Sequence, residues 1–416
     1  MRTTLLTAIA TLVLTACGPD PSSDPRPTPS PSSTTEAKEN PYADLSKREL
    51  DRRLIAAAWD DDVRKARLLI AAGADVNAKD KTEQSAYLIA TSEGYLDLLE
   101  LTLDHGADVD SLDRFDGTGL IRAAERGHHD IVGRLLQTGI NVDHVNNLGW
   151  VALHEAIVLG DGSRKYVATV RALVAGGADL AVAPKRDGIS PRSHAERRGF
   201  DGIARTIDRA MKAERMSDAE ADAALVRAAR SGDADAAAVA VRQGADLETR
   251  DQHRRTPLLL AATADHAAVA RLLVDLGADP DALDGRHDSA WLVTGVTGSV
   301  RMAKIIAAAK PDFGLLNRFG GTSLIPASER GHADYVAWAV EHTPMKIDHV
   351  NDLGWTALLE AVILGEGSTR WQRIVRTLLD AGADASIADE DGVTPLQHAR
   401  KRGHTEIARI IQAERA

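Results

Sequence analysis

Large aromatic side chains are scarce in this chain: four Phe, five Tyr and six Trp among 416 residues. A core built on big rings is excluded. Small residues dominate instead, and they let helices pack closely. Cysteine is nearly absent. The single thiol, Cys17, has no partner in the chain, which excludes an intrachain disulfide framework and a paired-Cys zinc site. Net positive charge is also missing: 50 Lys and Arg against 61 Asp and Glu give a formal charge of −11. A nucleic-acid partner wants a net basic face, so this balance argues against one. Long apolar runs are lacking too. Leu5–Leu14 is about ten residues, too short to span a bilayer as a stable helix. No nucleophile elbow or phosphate-binding loop occurs.

What the chain has is repetition on two scales. Asn317-Arg318-Phe319-Gly320-Gly321-Thr322 echoes Asp113-Arg114-Phe115-Asp116-Gly117-Thr118, and Asp348 to Trp355 repeats Asp143 to Trp150, at a spacing of 204–205 residues. Within each half, Gly-Ala-Asp recurs at Gly73, Gly106, Gly177, Gly244, Gly277 and Gly382, with a degenerate copy at Gly139. The step from Gly73 to Gly106 to Gly139 is 33 residues each time. Such a period with two short helices per unit predicts a stacked solenoid, whose elongated surface points to binding and not to chemistry.

One unit shows the local logic. Thr256 is placed to cap an inner helix, with Pro257 at its first position, where the missing N–H is not needed. Val269, Leu272 and Leu273 mark the outer helix at i, i+3, i+4 spacing. Gly277 supplies the left-handed backbone that ends it. The Thr-Pro-Leu at 256–258, the Thr-Pro-Leu-Gln-His-Ala at 394–399 and the recurring Gly-Ala-Asp resemble the ankyrin repeat. That resemblance covers about Asp51 to Ala413 and implies an all-α solenoid of ten to eleven helix-turn-helix units with β-hairpin fingers. Eleven units can be placed between 51 and 414, ending near 78, 112, 145, 184, 215, 250, 283, 316, 350, 388 and 414. The two halves further resemble a bacterial ankyrin module, present as two tandem copies: 41–215 and 216–416. The segment Asp208 to Asp222 joins them. Because the repeat resumes at once after it, one continuous curved stack is expected.

The first forty residues read differently. Arg2, the apolar run Leu5–Leu14 and Leu14-Thr15-Ala16-Cys17 resemble the signal and lipobox of a bacterial lipoprotein. This implies that 1–16 is a signal peptide and that Cys17 is lipidated. Residues 17–40 then form a disordered Pro/Ser/Thr tether, with a reach of some 60 Å at roughly 3 Å per residue. The expected location is the outer face of the plasma membrane, or the periplasm or outer membrane of a diderm.

Three constellations are candidates for function. Both halves carry an insertion before an outer helix, Gly160-Asp161-Gly162-Ser163 and Gly365-Glu366-Gly367-Ser368. A Gly-rich loop there can cradle an anion; the plain reading is a longer turn with Ser163 or Ser368 capping the next helix. The histidines are scattered and read as backbone partners within the repeat, with no metal, cofactor or catalytic set. The finger residues Phe115, Leu148 and Trp150, repeated as Phe319, Leu353 and Trp355, form the candidate partner-binding strips, since aromatic anchors carry much of the energy at interfaces. The other reading has them bracing neighbouring fingers. The expectation is a monomeric, lipid-anchored scaffold that binds a protein in the cell envelope. An immunity or inhibitor-type binder of an exported enzyme and an enzyme using the two Ser loops are the alternatives.

Overall fold

The computed structural model describes residues 40–184 and 188–414. The expected signal peptide, Cys17 and the expected tether up to residue 39 lie outside them. The described residues contain 22 helices in antiparallel pairs, each an inner helix followed by an outer one. The first half holds α1 (Lys47–Trp59) and α2 (Val63–Ala71), α3 (Ala86–Glu93) and α4 (Leu96–Asp104), α5 (Gly119–Arg126) and α6 (His129–Leu136), α7 (Ala152–Val158) and α8 (Arg164–Ala175), and α9 (Pro191–Arg197) and α10 (Asp201–Lys212). The second holds α11 (Asp218–Ser231) and α12 (Ala234–Arg242), α13 (Pro257–Thr263) and α14 (Ala267–Asp275), α15 (Ala290–Thr297) and α16 (Val300–Ala307), α17 (Leu324–Glu329) and α18 (Ala333–His342), α19 (Ala357–Ile363) and α20 (Thr369–Asp380), and α21 (Pro395–Lys401) and α22 (Thr405–Glu414).

The capping logic read from the sequence holds. Thr256 accepts a hydrogen bond from the Leu259 amide and Pro257 opens α13. Gly277 takes a φ of +91° just beyond α14. Where the sequence lacks that glycine, Lys310 takes the left-handed conformation itself, at +52°. The fingers are hydrogen-bonded turns, with no strand among the described residues. An Asp or Asn at the start of each closes the turn: Asp113 Oδ1 accepts from the amides of Phe115 (2.8 Å) and Gly117 (2.9 Å), and Asn317 Oδ1 from those of Phe319 (2.8 Å) and Gly321 (3.1 Å).

Through α10 the inner helices stack in one row and the outer helices in a second row behind it. The expected continuous stack ends there. Helix α11 packs on α12, α13 and α14, with no comparable contact to α9. The outer row folds back instead: α12 lies on α8 and α10, and α14 on α6 and α8. Farther along, Lys310 Nζ reaches Asp97 Oδ1 in α4 at 2.6 Å. The two halves therefore run in opposite order with their outer faces together.

The composition of the outer helices explains the fold-back. In α8, Thr169, Val170, Ala172, Leu173, Val174 and Ala175 are all buried. Its counterpart α20 carries exposed Arg373 and Asp380 where α8 has Ala168 and Ala175. Leaving the extra apolar face of α8 in water would cost roughly 25 cal/mol per Å². Small residues then let the helices approach. A Cβ on Gly133 of α6 would stand 2.2 Å from the Asp275 carbonyl oxygen of α14. Polar groups complete the seam. Arg171 Nε pairs with Asp235 Oδ1 at 2.6 Å, and His129 Nδ1 lies 2.7 Å from Asp275 Oδ2. Arg242 donates to the carbonyls of Val174 (3.1 Å) and Ala178 (2.9 Å). Burial raises the Asp275 carboxyl above its ordinary range, and His129 partly offsets this.

Candidate functional site

Because the seam occupies outer helices, the inner helices and fingers of each half remain on the side away from it. In the second half they enclose a groove of about 610 Å³. Its floor comes from α13, α15, α17 and α19, and its wall from the fingers that begin at Asp251, Asp284, Asn317 and Asn351.

Four of the six finger residues singled out in the sequence are exposed: Phe115 (40%), Leu148 (37%), Phe319 (52%) and Leu353 (53%). Trp150 and Trp355 are half-buried. Phe319 and Leu353 both line the groove. Neighbouring fingers are tied together, the Asn147 amide donating to the Phe115 carbonyl at 3.1 Å and the Asp352 amide to the Phe319 carbonyl at 3.0 Å. Each Phe also carries a guanidinium over its ring, Arg114 at 4.8 Å and Arg318 at 4.4 Å. These rings present one apolar face beside a cation.

Sequence reasoning missed the polar centre of the same surface. Asn351 uses both ends of its amide. Its Oδ1 accepts from the Leu353 and Trp355 amides at 3.0 Å each, closing the finger, while its Nδ2 donates to Glu360 Oε1 at 2.9 Å. The first half repeats the device: Asn146 closes its finger onto Leu148 and Trp150, and donates to Glu155 Oε1 at 2.6 Å. Glu360 is 4% exposed and Glu155 3% exposed. In each, Oε2 is buried with no hydrogen-bond partner among the described residues.

Such carboxylates are expensive to ionise. Burial pushes Glu360 up to about 7; the nearby Glu329 charge adds to this, and the Asn351 amide opposes it. Burial likewise pushes Glu155 up to about 7, with Asn146 opposing, Glu125 adding and Arg122 opposing. The signal that could have found these residues is the paired spacing: Asn stands where most fingers begin with Asp, and Glu follows nine residues later, in both halves.

The two Ser loops are packed against the next unit. A Cβ on Gly162 would lie 2.4 Å from the Phe200 ring, and one on Gly367 2.2 Å from that of His404. Ser163 and Ser368 hold the N-cap positions of α8 and α20 without a side-chain cap bond. Asp161 Oδ1 already takes the Ser163 amide at 2.8 Å. The histidines serve the repeat as expected: His128, His266 and His332 each lie 3.1 Å from a carbonyl of the preceding unit. No helix among the described residues is long and apolar enough to cross a membrane.

Comparison with known proteins gives consistent matches. A family profile described as ankyrin repeats (3 copies) matches residues 54–143, 87–183 and 199–284, together just over half of the chain. The ankyrin repeat protein YahD of Escherichia coli (strain K12) is 37% identical over 186 residues, covering 45% of this chain and 92% of YahD. An ankyrin repeat domain of Acinetobacter baumannii AYE, solved as a crystal structure, is 41% identical, with a TM-score of 0.45 over 46% of this chain and 97% of its own. The ankyrin repeat protein EF0377 is 36% identical, with the same TM-score and the same coverage of both chains.

Proposed function

The chain belongs to the ankyrin-repeat family, and from that premise we propose that it is a lipid-anchored scaffold which binds a protein partner in the cell envelope. The observation that carries the binding reading is the open groove of the second half, with Phe319 and Leu353 exposed along its finger wall. Exposed apolar side chains rimmed by charge mark interaction surfaces on soluble folds. The chain holds two tandem copies of one module; in support, YahD is matched over 92% of its length by 45% of this chain, and the segments around Phe115 and Phe319 repeat. Joined by their outer faces, the copies hold two such surfaces on opposite sides.

Anchoring rests on the sequence alone: the apolar run Leu5–Leu14, the lipobox-like Leu14 to Cys17, and a tether long enough to hold the folded body clear of a membrane. The scaffold reading is tested by crosslinking the protein in its own cells and identifying what is attached. Phe319→Ala with Leu353→Ala should lose that partner at unchanged thermal stability. Retention of every crosslinked partner by the double variant refutes the groove as the binding face.

A further inference from the structure

The two copies of the Asn–Glu device differ in one respect. In the first half the chain supplies its own cation. Arg122, on α5, pairs with Glu125, and its Nε lies 3.3 Å from Asp113 Oδ2. The same Arg122 charge acts on Glu155 and favours its ionised form. The second half keeps both glutamates, as Glu329 and Glu360, but removes the cation: Pro326 stands where the first half has Arg122, and Asn317 where it has Asp113. Glu329 forms no ion pair among the described residues, and the charge that acts on Glu360 is the like charge of Glu329. Four arginines, Arg255, Arg286, Arg318 and Arg330, also line the groove, yet none of them bears on Glu360. Glu360 lines the floor of the 610 Å³ groove, and its Oε2 is buried without a hydrogen-bond partner among the described residues.

We propose that the groove of the second half is a receptor site for an arginine side chain, presented by an extended segment of the partner protein and held between Glu360 and Glu329. In the first half Arg122, held by Asp113 and Glu125, brings an arginine charge close enough to favour ionised Glu155, and Pro326 stands at its place in the second half. A guanidinium suits it because its several N–H groups can reach two carboxylates at once. The exposed Phe319 and Leu353 flank the position and take apolar residues beside the arginine. In the first half Arg122 already pairs with Glu125, the counterpart of Glu329, so that half takes no such ligand. Pairing also answers why the costly Glu360 carboxylate is kept: an incoming cation turns its desolvation penalty into partner specificity. This inference rests on the protein-binding reading above and adds the chemistry of the bound segment.

The test uses the whole folded chain and two fluorescein-labelled heptapeptides, Gly-Ala-Leu-Arg-Leu-Ala-Gly and its counterpart with citrulline, a neutral isostere, in place of arginine. Fluorescence anisotropy at pH 8 should show the arginine peptide binding the wild type at least about tenfold more tightly, as expected of a charge-assisted pair to a desolvated carboxylate. Glu360→Gln should erase the difference. Pro326→Arg, which restores the internal cation, should erase it too while keeping the melting temperature, so that loss of binding is not loss of fold. Arg122→Ala should raise the stoichiometry from one peptide to two. Equal binding of the two peptides, no binding of the arginine peptide at millimolar concentration, or an unchanged preference in Glu360→Gln overturns the proposal. Equally tight binding of free arginine amide overturns its assignment to a polypeptide segment. If the partner crosslinked in cells is still captured by Glu360→Gln, this inference fails and the scaffold reading stands.

Discussion

Replacing Glu360 with Gln should stabilise the protein, and the gain should depend on pH. The carboxyl is raised in the folded state from an ordinary 4.5 to about 7, chiefly by burial. A raised acid works against folding once the unfolded chain ionises it. Its stability contribution is therefore intact below pH 4.5, declines as pH rises toward 7, and is flat above that. A displacement of that size corresponds to about 3 kcal/mol at pH 8 and almost nothing at pH 4. Gln is isosteric, and its carbonyl oxygen still accepts from the Asn351 amide. The groups facing Glu360 are Asn351, from its finger, and Glu329, from α17; neither changes in the variant. Urea unfolding of wild type and variant at pH 4 and pH 8 measures the difference. Hydrogen exchange over α19 reports it locally, since a repeat stack can open in parts. A variant less stable than wild type at pH 8, or a difference equal at both pH values, refutes a desolvated carboxylate at this position.

The seam between the halves should open in Gly133→Leu, whose side chain has no room against the Asp275 carbonyl; small-angle scattering should show a longer particle, and an unchanged radius of gyration refutes the fold-back. Cys17→Ala should leave the membrane fraction, whereas retention after a high-salt wash excludes the lipid anchor. Trp150→Ala and Trp355→Ala separate bracing from binding: both rings are half-buried, so lowered melting with the partner retained marks a brace, and a lost partner at unchanged melting marks a contact. Gly320→Ala should destabilise by about 1–2 kcal/mol in thermal unfolding, because a left-handed backbone and a close carboxylate both oppose a Cβ there; its φ is +67° and the new Cβ would stand 2.2 Å from Asp352 Oδ1.

Much of the local structure was legible because it is local. Thr256 with Pro257, and Gly277, declare helix starts and stops through backbone chemistry that needs no distant partner. The period between glycines gave the units, since each must bury its apolar face on a neighbour of the same kind. The Asn351–Glu360 pair was harder to see. Nothing in a string of charged residues says which carboxylate will lose water, and burial, not identity, sets Glu360 apart from Glu366. Comparing the two halves residue by residue points to it, but the vacant place left by Pro326 has meaning only once Arg122 is seen beside Glu125.

The repeat, its eleven helix pairs, their caps and the positions of the finger aromatics are written in the amino-acid order, because they follow from short-range sterics and hydrogen bonding repeated along the chain. That order also carries the differences between α8 and α20, with Ala168 and Ala175 in one and Arg373 and Asp380 in the other. What those differences do emerges only when distant helices pack together. A solenoid can continue or fold back after α10 with the same helices, and the choice falls to whichever arrangement removes the second apolar face of α8 from water. That long-range burial turned one expected stack into two halves joined along their outer faces, with the groove of the second half facing away from the seam.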